Sequence, residues 1–484
     1  MTLSGVRLAA CLLLLGALGF AIYRRRAVSS ALREFFLAPS QPQNLGLLRI
    51  VLFAALAWVG LQTNAVWWAS QPATLRVMPP GWQWLAGLLP INATVASGAR
   101  FLVVAFGVCA AVGLGTRITS KVAAIAALYL LGVPSFFGKI LHSDHALVMM
   151  TLVLAAAPCG DALSLDRLWL RRRGRPEPQM SDAYTLPVRL CWLLLGTIYL
   201  FPGIWKVWEA GDLWLSGERL LWELQDEWGQ RKGFVPPARI DQHPWLLKLL
   251  GTATLIFEVG FFFALFQKQA RIVAALSAVA FHVGVRLFLG IRFYEYLPLI
   301  LLIDFRWPEP APSAAATATA TATSGAPQRT PWPSALIGGA LLLGQFFVGF
   351  AQIDSWPIAM HPKFSERGGP KQITRNHKFV LEPAAGGRER DLVYLLSKLG
   401  GGHGFTRVML RFDRDVARGA PYRDTGRSIV AMLRENGLEL VSGDQIAVYS
   451  TSWNTYPIGE RTGYQKQLLH RYRVSEDSGL ELTP

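Results

Sequence analysis

Lys206 closes the apolar run Phe201-Pro202-Gly203-Ile204-Trp205-Lys206, where a proline and a glycine weaken a helix and aromatic side chains surround the amine. Desolvation favours the neutral form of a lysine, and a neutral amine can take a proton from a substrate. An interfacial lysine reaching out of an aromatic belt shares these surroundings, so spacing alone leaves both roles open. Placed near a surface, such a lysine would contribute little to stability. The other ionisable residues in apolar surroundings are Arg49, Asp144 with His145, Arg189, Glu258, His282 with Arg286, and Arg292. Charge at membrane depth is costly, so each should face a bundle interior and hold a partner.

His142, Asp144 and His145 cluster at the mouth of another apolar stretch. These are metal-ligand types, but no third ligand set stands at suitable spacing, and no metal is predicted. A polar helix start with Asp144 as N-cap is the plainer reading. His282 and Arg286, four residues apart, project from one helix face, and Glu258 on the preceding span is the expected ion-pair partner of Arg286. The glycine clusters Gly368-Gly369 and Gly400-Gly401-Gly402 lack the lysine, serine and strand-helix frame of a phosphate cradle and read as loops.

The elements that must carry these residues are membrane spans. Of 484 residues, 52% are hydrophobic and only 17% charged, with a positive mean hydropathy. Apolar runs near the ~20 residues that cross a bilayer recur at about 5–23, 45–62, 101–116, 122–137, 146–159, 187–205, 247–266, 272–290, 295–305 and 335–352. The ninth is too short for an ordinary crossing and reads as re-entrant or tilted. An all-α polytopic membrane bundle of about ten transmembrane helices follows, with a small C-terminal α+β soluble domain. The expected divisions are an N-terminal anchor helix and basic loop (1–39), a transmembrane domain (40–306), a low-complexity Ala/Thr/Pro linker (307–333), a last transmembrane helix (334–352) and the C-terminal domain (353–484). In that domain, runs at 378–381, 407–412 and 445–451 read as strands and 427–436 as a helix stopped by Gly437.

The net charge of +16 would suit nucleic acid were it spread over the soluble part. Residues 353–484, however, hold 19 basic against 15 acidic side chains, so the excess lies in membrane loops such as Arg24-Arg25-Arg26 and Arg171-Arg172-Arg173. No nucleic acid is expected. With the basic loops inside, the loops 63–100 and 206–246 and the C-terminal domain fall outside the cytoplasm. Asn92-Ala93-Thr94 is then a glycosylation sequon only in a eukaryotic host, and the Ala- and Arg-rich composition reads as bacterial, placing the chain in an inner membrane. The four cysteines, Cys11, Cys109, Cys159 and Cys191, all lie in or beside apolar stretches, and no disulfide framework is expected.

At these residues the chain resembles the horizontally transferred transmembrane (HTTM) family, of the vitamin K-dependent gamma-carboxylase-like type. The likeness runs through residues 40–306. It rests on His145 after a polar turn, the Pro158 to Asp166 segment with Ser164-Leu165-Asp166, the Gly203 to Lys206 turn followed by Trp214 and Gly217, and Phe281-His282. Trp356 to Ser365 is similar to a post-span segment of bacterial members. The resemblance implies Lys206 as a base that deprotonates a reduced quinone and His145 as an assisting histidine; it says less about His282, which with Trp205 is a candidate for holding the cofactor. It implies carboxylase-like lyase chemistry on an extracytoplasmic protein or peptide. The polar turn reads Ser143-Asp144-His145 and the C-terminal domain is short, departures that bear on substrate recognition. A non-catalytic family member binding a lipid, quinone or protein is the alternative, and a transporter is a third, although no internal repeat is evident.

Overall fold

The computed structural model describes residues 2–483 apart from 84–89, 139, 141, 231–234, 292, 295, 309–331, 361–366, 368, 370–372, 398–401, 455–461 and 478. Arg292, most of the expected linker, Gly368, Gly400 and Gly401, and the His361 to Ser365 part of the post-span segment lie outside the described residues. In chain order the helices are α1 (Leu3–Tyr23), α2 (Arg25–Leu37), α3 (Pro42–Gln62), α4 (Ala65–Ser70), α5 (Ala93–Val112), α6 (Thr116–Leu130), α7 (His145–Ala155), α8 (Leu165–Arg172), α9 (Asp182–Ser216), α10 (Glu218–Gln230), α11 (Pro244–Ala264), α12 (Lys268–Gly284) and α13 (Trp332–Ala351). Among the described residues, α1, α3, α5, α6, α9, α11, α12 and α13 are the 8 helices long and apolar enough to cross a membrane.

The expected count of about ten is thus reduced to 8 bilayer-length helices. The fifth candidate is α7, only 11 residues, or about 16 Å. The ninth is a 3-10 helix of 6 residues, Leu297–Leu302. Both are buried among their neighbours, which explains how short and irregular backbone is tolerated there. His145 at the start of α7 lies against Trp356, whose indole reaches the Leu128 carbonyl late in α6. The Cys159 carbonyl beyond α7 is held by Arg49. The 3-10 helix likewise follows Tyr294, bonded to Asp144, and precedes Asp304, bonded to Arg271 at the start of α12.

Local chemistry sets several of these ends. Asn92 caps α5 by accepting from the Val95 amide at 2.9 Å, so the sequon asparagine is spent on a helix start. Asp166 accepts from the Gly115 amide, the Thr116 amide and the Thr116 hydroxyl, each at 2.7 Å, and so caps α6 from outside it. The central helix is α9, 35 residues long, with a non-helical break at Ala210 and an end at Gly217, whose φ of 82° needs no Cβ.

After α13 the chain forms a five-stranded antiparallel sheet of order β2-β1-β3-β4-β5, with β1 Ile373–Glu382, β2 Arg390–Asp391, β3 Gln445–Asn454, β4 Gln465–Val474 and β5 Leu480–Thr483. Helices α14 (Leu392–Ser397), α15 (Gly402–Ala417) and α16 (Arg423–Glu435) complete this α+β domain. The strand expected at 407–412 is part of α15. Phe405, Val408, Met409 and Phe412 are all buried, and their spacing is that of a helix face. The helix expected at 427–436 is α16, followed by Gly437 at φ 82°.

The domain is fastened to one end of the bundle, called distal below. Trp67 donates to Asn436 at 2.7 Å, Arg407 to the Gly138 carbonyl at 2.8 Å, and Trp453 to the Gly229 carbonyl at 2.7 Å. The opposite end carries Arg167 and Arg171 on α8 and the residues around Arg271, and is called basic.

Candidate functional site

Lys206 and Glu258 form a buried ion pair, only 3% and 4% exposed, that joins α9 to α11. The geometry depends on Gly203. A Cβ there would stand 2.8 Å from the Glu258 Cβ and 3.0 Å from the Val259 amide nitrogen, so only glycine lets α11 come this close. The Trp214 ring, two turns on, lies 5.1 Å from the Lys206 amine. Glu258 gives one carboxyl oxygen to Lys206, whereas Oε2 is buried and has no hydrogen-bond partner among the described residues.

The pair faces a cavity of about 130 Å³. Tyr199, Pro202 and Lys206 of α9 form one wall, with Phe281 and His282 of α12 opposite and His142, Ser143 and Tyr294 at the distal end. Tyr199 Oη and His282 Nε2 are hydrogen-bonded at 2.7 Å. Tyr294 donates to Asp144 at 2.9 Å, and Ser143 to the same oxygen at 3.2 Å. A second, larger hollow of about 870 Å³ lies between α10, α11 and α12, walled by small and apolar residues including Gly260, Ala274, Ala280 and Gly284. Phe281 and Val285 line both spaces, so the polar cavity and the apolar groove share a wall.

Several expected site residues fall elsewhere. Glu258 pairs with Lys206 and not with Arg286, because the Gly203 contact aligns Glu258 with the α9 amine. Lys206 itself is not surface-proximal. Trp205 points away from the cavity and donates to the Gly349 carbonyl of α13 at 2.8 Å, which makes it a strut between spans. His145 is fully buried one layer behind the cavity, its ring edge-on to Trp356 at 4.7 Å and 5.4 Å from the ring of His142. The cavity wall is taken by His142 instead. Asp144 makes no side-chain cap to α7 and accepts the Tyr294 and Ser143 hydroxyls instead. His282 lines the cavity.

The residues that sequence reasoning missed have partial signals. Tyr199, Pro202 or Gly203, and Lys206 recur at intervals of three, four and seven, which puts them on one face of α9. Tyr294 and Asp354 carry no such pattern. Asp354 sits just after α13, where its Oδ2 lies 3.5 Å from His142 Nε2. Burial holds its carboxyl up to about 6, against the opposing pull of Arg407. Three bonds fix this turn: Ser355 to the Pro80 carbonyl, Trp82 to the Trp356 carbonyl and Gln345 to the Ala359 carbonyl.

The Ser164-Leu165-Asp166 motif does helix capping, with Ser164 accepting from the Arg167 amide and Asp166 closing α6. No protein-family model, curated protein or solved structure matches this chain.

Proposed function

We propose that this chain is a membrane enzyme of the HTTM, gamma-carboxylase-like type, in which the Lys206–Glu258 pair deprotonates a lipid-soluble hydroquinone. The observation that carries the reading is the unpartnered Glu258 oxygen at a buried ion pair beside an aromatic-walled cavity. About 130 Å³ is close to the roughly 150 Å³ known to hold one benzene ring. An isoprenoid tail would lie in the adjoining groove, reached laterally from the bilayer past Phe281.

The proton bookkeeping follows from the pair. As it stands, Lys206 and Glu258 share one proton and are neutral together. A hydroquinone hydroxyl hydrogen-bonded to Oε2 gives up its proton to the pair, breaking its O–H bond and leaving the electrons on the quinol oxygen. The pair becomes cationic and holds the resulting anion in low dielectric. The neighbouring Tyr199–His282 couple is within the same walls and orients the ring. The anion's onward chemistry, carboxylase-like on this reading, would act on a protein or peptide meeting the distal surface.

Sidedness is part of the same proposal. The arginine-rich end would face the cytoplasm and the C-terminal domain the outside, as in a bacterial inner membrane. A phosphatase fusion at residue 484 should be active and one near residue 175 inactive; the reverse pattern would discard this orientation. For the chemistry, native mass spectrometry of purified protein should find a co-purifying quinone that Glu258→Gln loses. Retention by Glu258→Gln would leave a lipid- or quinone-binding protein without this chemistry.

A further inference from the structure

A buried base that takes a proton must also discharge it, and the structure offers a graded way out. We propose that His142 and Asp354 form the proton route between the Lys206–Glu258 pair and water at the distal surface. This rests on the reading that the pair exchanges protons, but not on what its substrate is.

Side-chain exposure rises step by step along the path: 4% at Lys206, 6% at Glu258, 15% at His142 and 36% at Asp354. His142 lines the same cavity as the pair, and about 130 Å³ has room for several waters to bridge them. Imidazole can accept a proton on one nitrogen and release one from the other, which suits a relay. Its Nε2 faces the Asp354 carboxylate at 3.5 Å, the next acceptor toward solvent. A proton reaching Asp354 converts carboxylate to acid, and loss to water restores it, so no co-reactant is needed.

The groups around the path are consistent with transit in both directions. Asp354 faces His142 from the bundle and Arg407 from α15; burial favours its acid form and the Arg407 charge opposes it. His142 faces Asp354 and the ring of His145, with Ser143, Asp144 and Tyr294 beside it. The turn holding Asp354 is pinned to the loop at Pro80, to Trp82 and to α13, so the carboxylate is a fixed part of the mouth. The C-terminal domain thereby acquires a role at the site, since Arg407 tunes the outermost group.

The test uses the full-length chain in nanodiscs, without substrate. Infrared difference spectra after a switch from H₂O to D₂O follow the bands that Glu258→Gln and Lys206→Met remove. In Asp354→Asn and, from a different element, His142→Gln, those bands should exchange slower than wild type by roughly 10²-fold, while Asp354→Glu stays near wild type. Wild-type exchange rates in both Asp354→Asn and His142→Gln would overturn the route. So would the absence of any exchanging band that depends on the pair. Quinone binding with exchange independent of Asp354 would sink the route and keep the quinol reading. Asp354-dependent exchange in a protein that never binds quinone does the opposite.

Discussion

The two ends of the bundle bury ionisable groups in opposite ways. At the basic end Arg49, fully buried, spends its two terminal nitrogens on the carbonyls of Cys159, Ala162, Ala111 and Leu163. Arg189 and Arg271 converge on Asp304 and sandwich the Trp192 ring at 4.0 Å and 4.1 Å. These guanidiniums tie loops to helices. Arg49 Nε and Arg189 Nε and Nη1 are left without a hydrogen bond among the described residues, but none of these residues lines the cavity. Toward the distal end, Lys206 and Glu258 are just as buried, and the left-over Glu258 oxygen has a cavity beside it. A buried charge whose partners are backbone and counter-ions is a fastener. One with an open atom on a void is poised for a ligand.

The sharpest test separates fastening from chemistry at Lys206. Lys206→Ala should abolish quinol-dependent turnover, a loss of roughly 10²- to 10⁴-fold for a missing base. It should also cost about 3–5 kcal/mol, because Glu258 is left charged and alone. Lys206→Arg should fail in turnover too, since a guanidinium fork can engage both Glu258 oxygens and so take up Oε2, the atom left for the hydroxyl. The double variant Lys206→Met with Glu258→Met should recover stability in denaturation without recovering turnover. Should the double variant turn over quinol, the pair is a fastener after all.

Arg49→Met should lower stability by about 3 kcal/mol, with several buried carbonyls unmet. Quinone content per folded protein should not change; a drop would erase the distinction between the ends. Gly203→Ala comes next, at about 1–3 kcal/mol for a methyl forced against Glu258. Unlike Arg49→Met, it should also lower quinone content, because α11 must move away from Lys206.

The smallest effect is in pH. The Asp354 carboxyl is pushed up to about 6 in the fold, against about 3.9 in an unfolded chain. The folded state therefore binds more protons between these values, and stability falls as pH rises through pH 4 to 6, then levels. Arg407 faces this carboxyl and limits the fall. In Asp354→Asn the melting temperature should be flatter across that window by a few degrees. Parallel curves for the two proteins would remove Asp354 as a titrating group.

How much of this was legible from sequence divides along physical lines. Apolar runs mark bilayer-length helices because each needs only its own composition. Lengths misled for α7 and the Leu297–Leu302 turn, since protein neighbours and not lipid surround them. Lys206 was visible as a candidate because its run is aromatic and broken. Its partner was not, because Glu258 is 52 residues away and reaches it through a helix contact that only Gly203 permits. Trp205 was misassigned because adjacent residues on a helix point to different neighbours. At 407–412 a few alternating positions suggested a strand, while the wider spacing from Phe405 to Phe412 was helical.

Helix α13 and the turn behind it are the last parts of the bundle to leave the ribosome. Trp205 finds its acceptor at Gly349, and His145 packs edge-on against Trp356. Gly349 has no room for a Cβ against Phe201, so this closing fit is tight. A nascent chain halted before residue 332 thus lacks the Gly349 acceptor of Trp205 and the Trp356 ring that packs on His145. In a pulse-chase experiment such a truncated product should be cleared by membrane proteases well before the full chain. Sealing of the bundle therefore waits on the synthesis of α13 and its turn, and quality control can read one from the other.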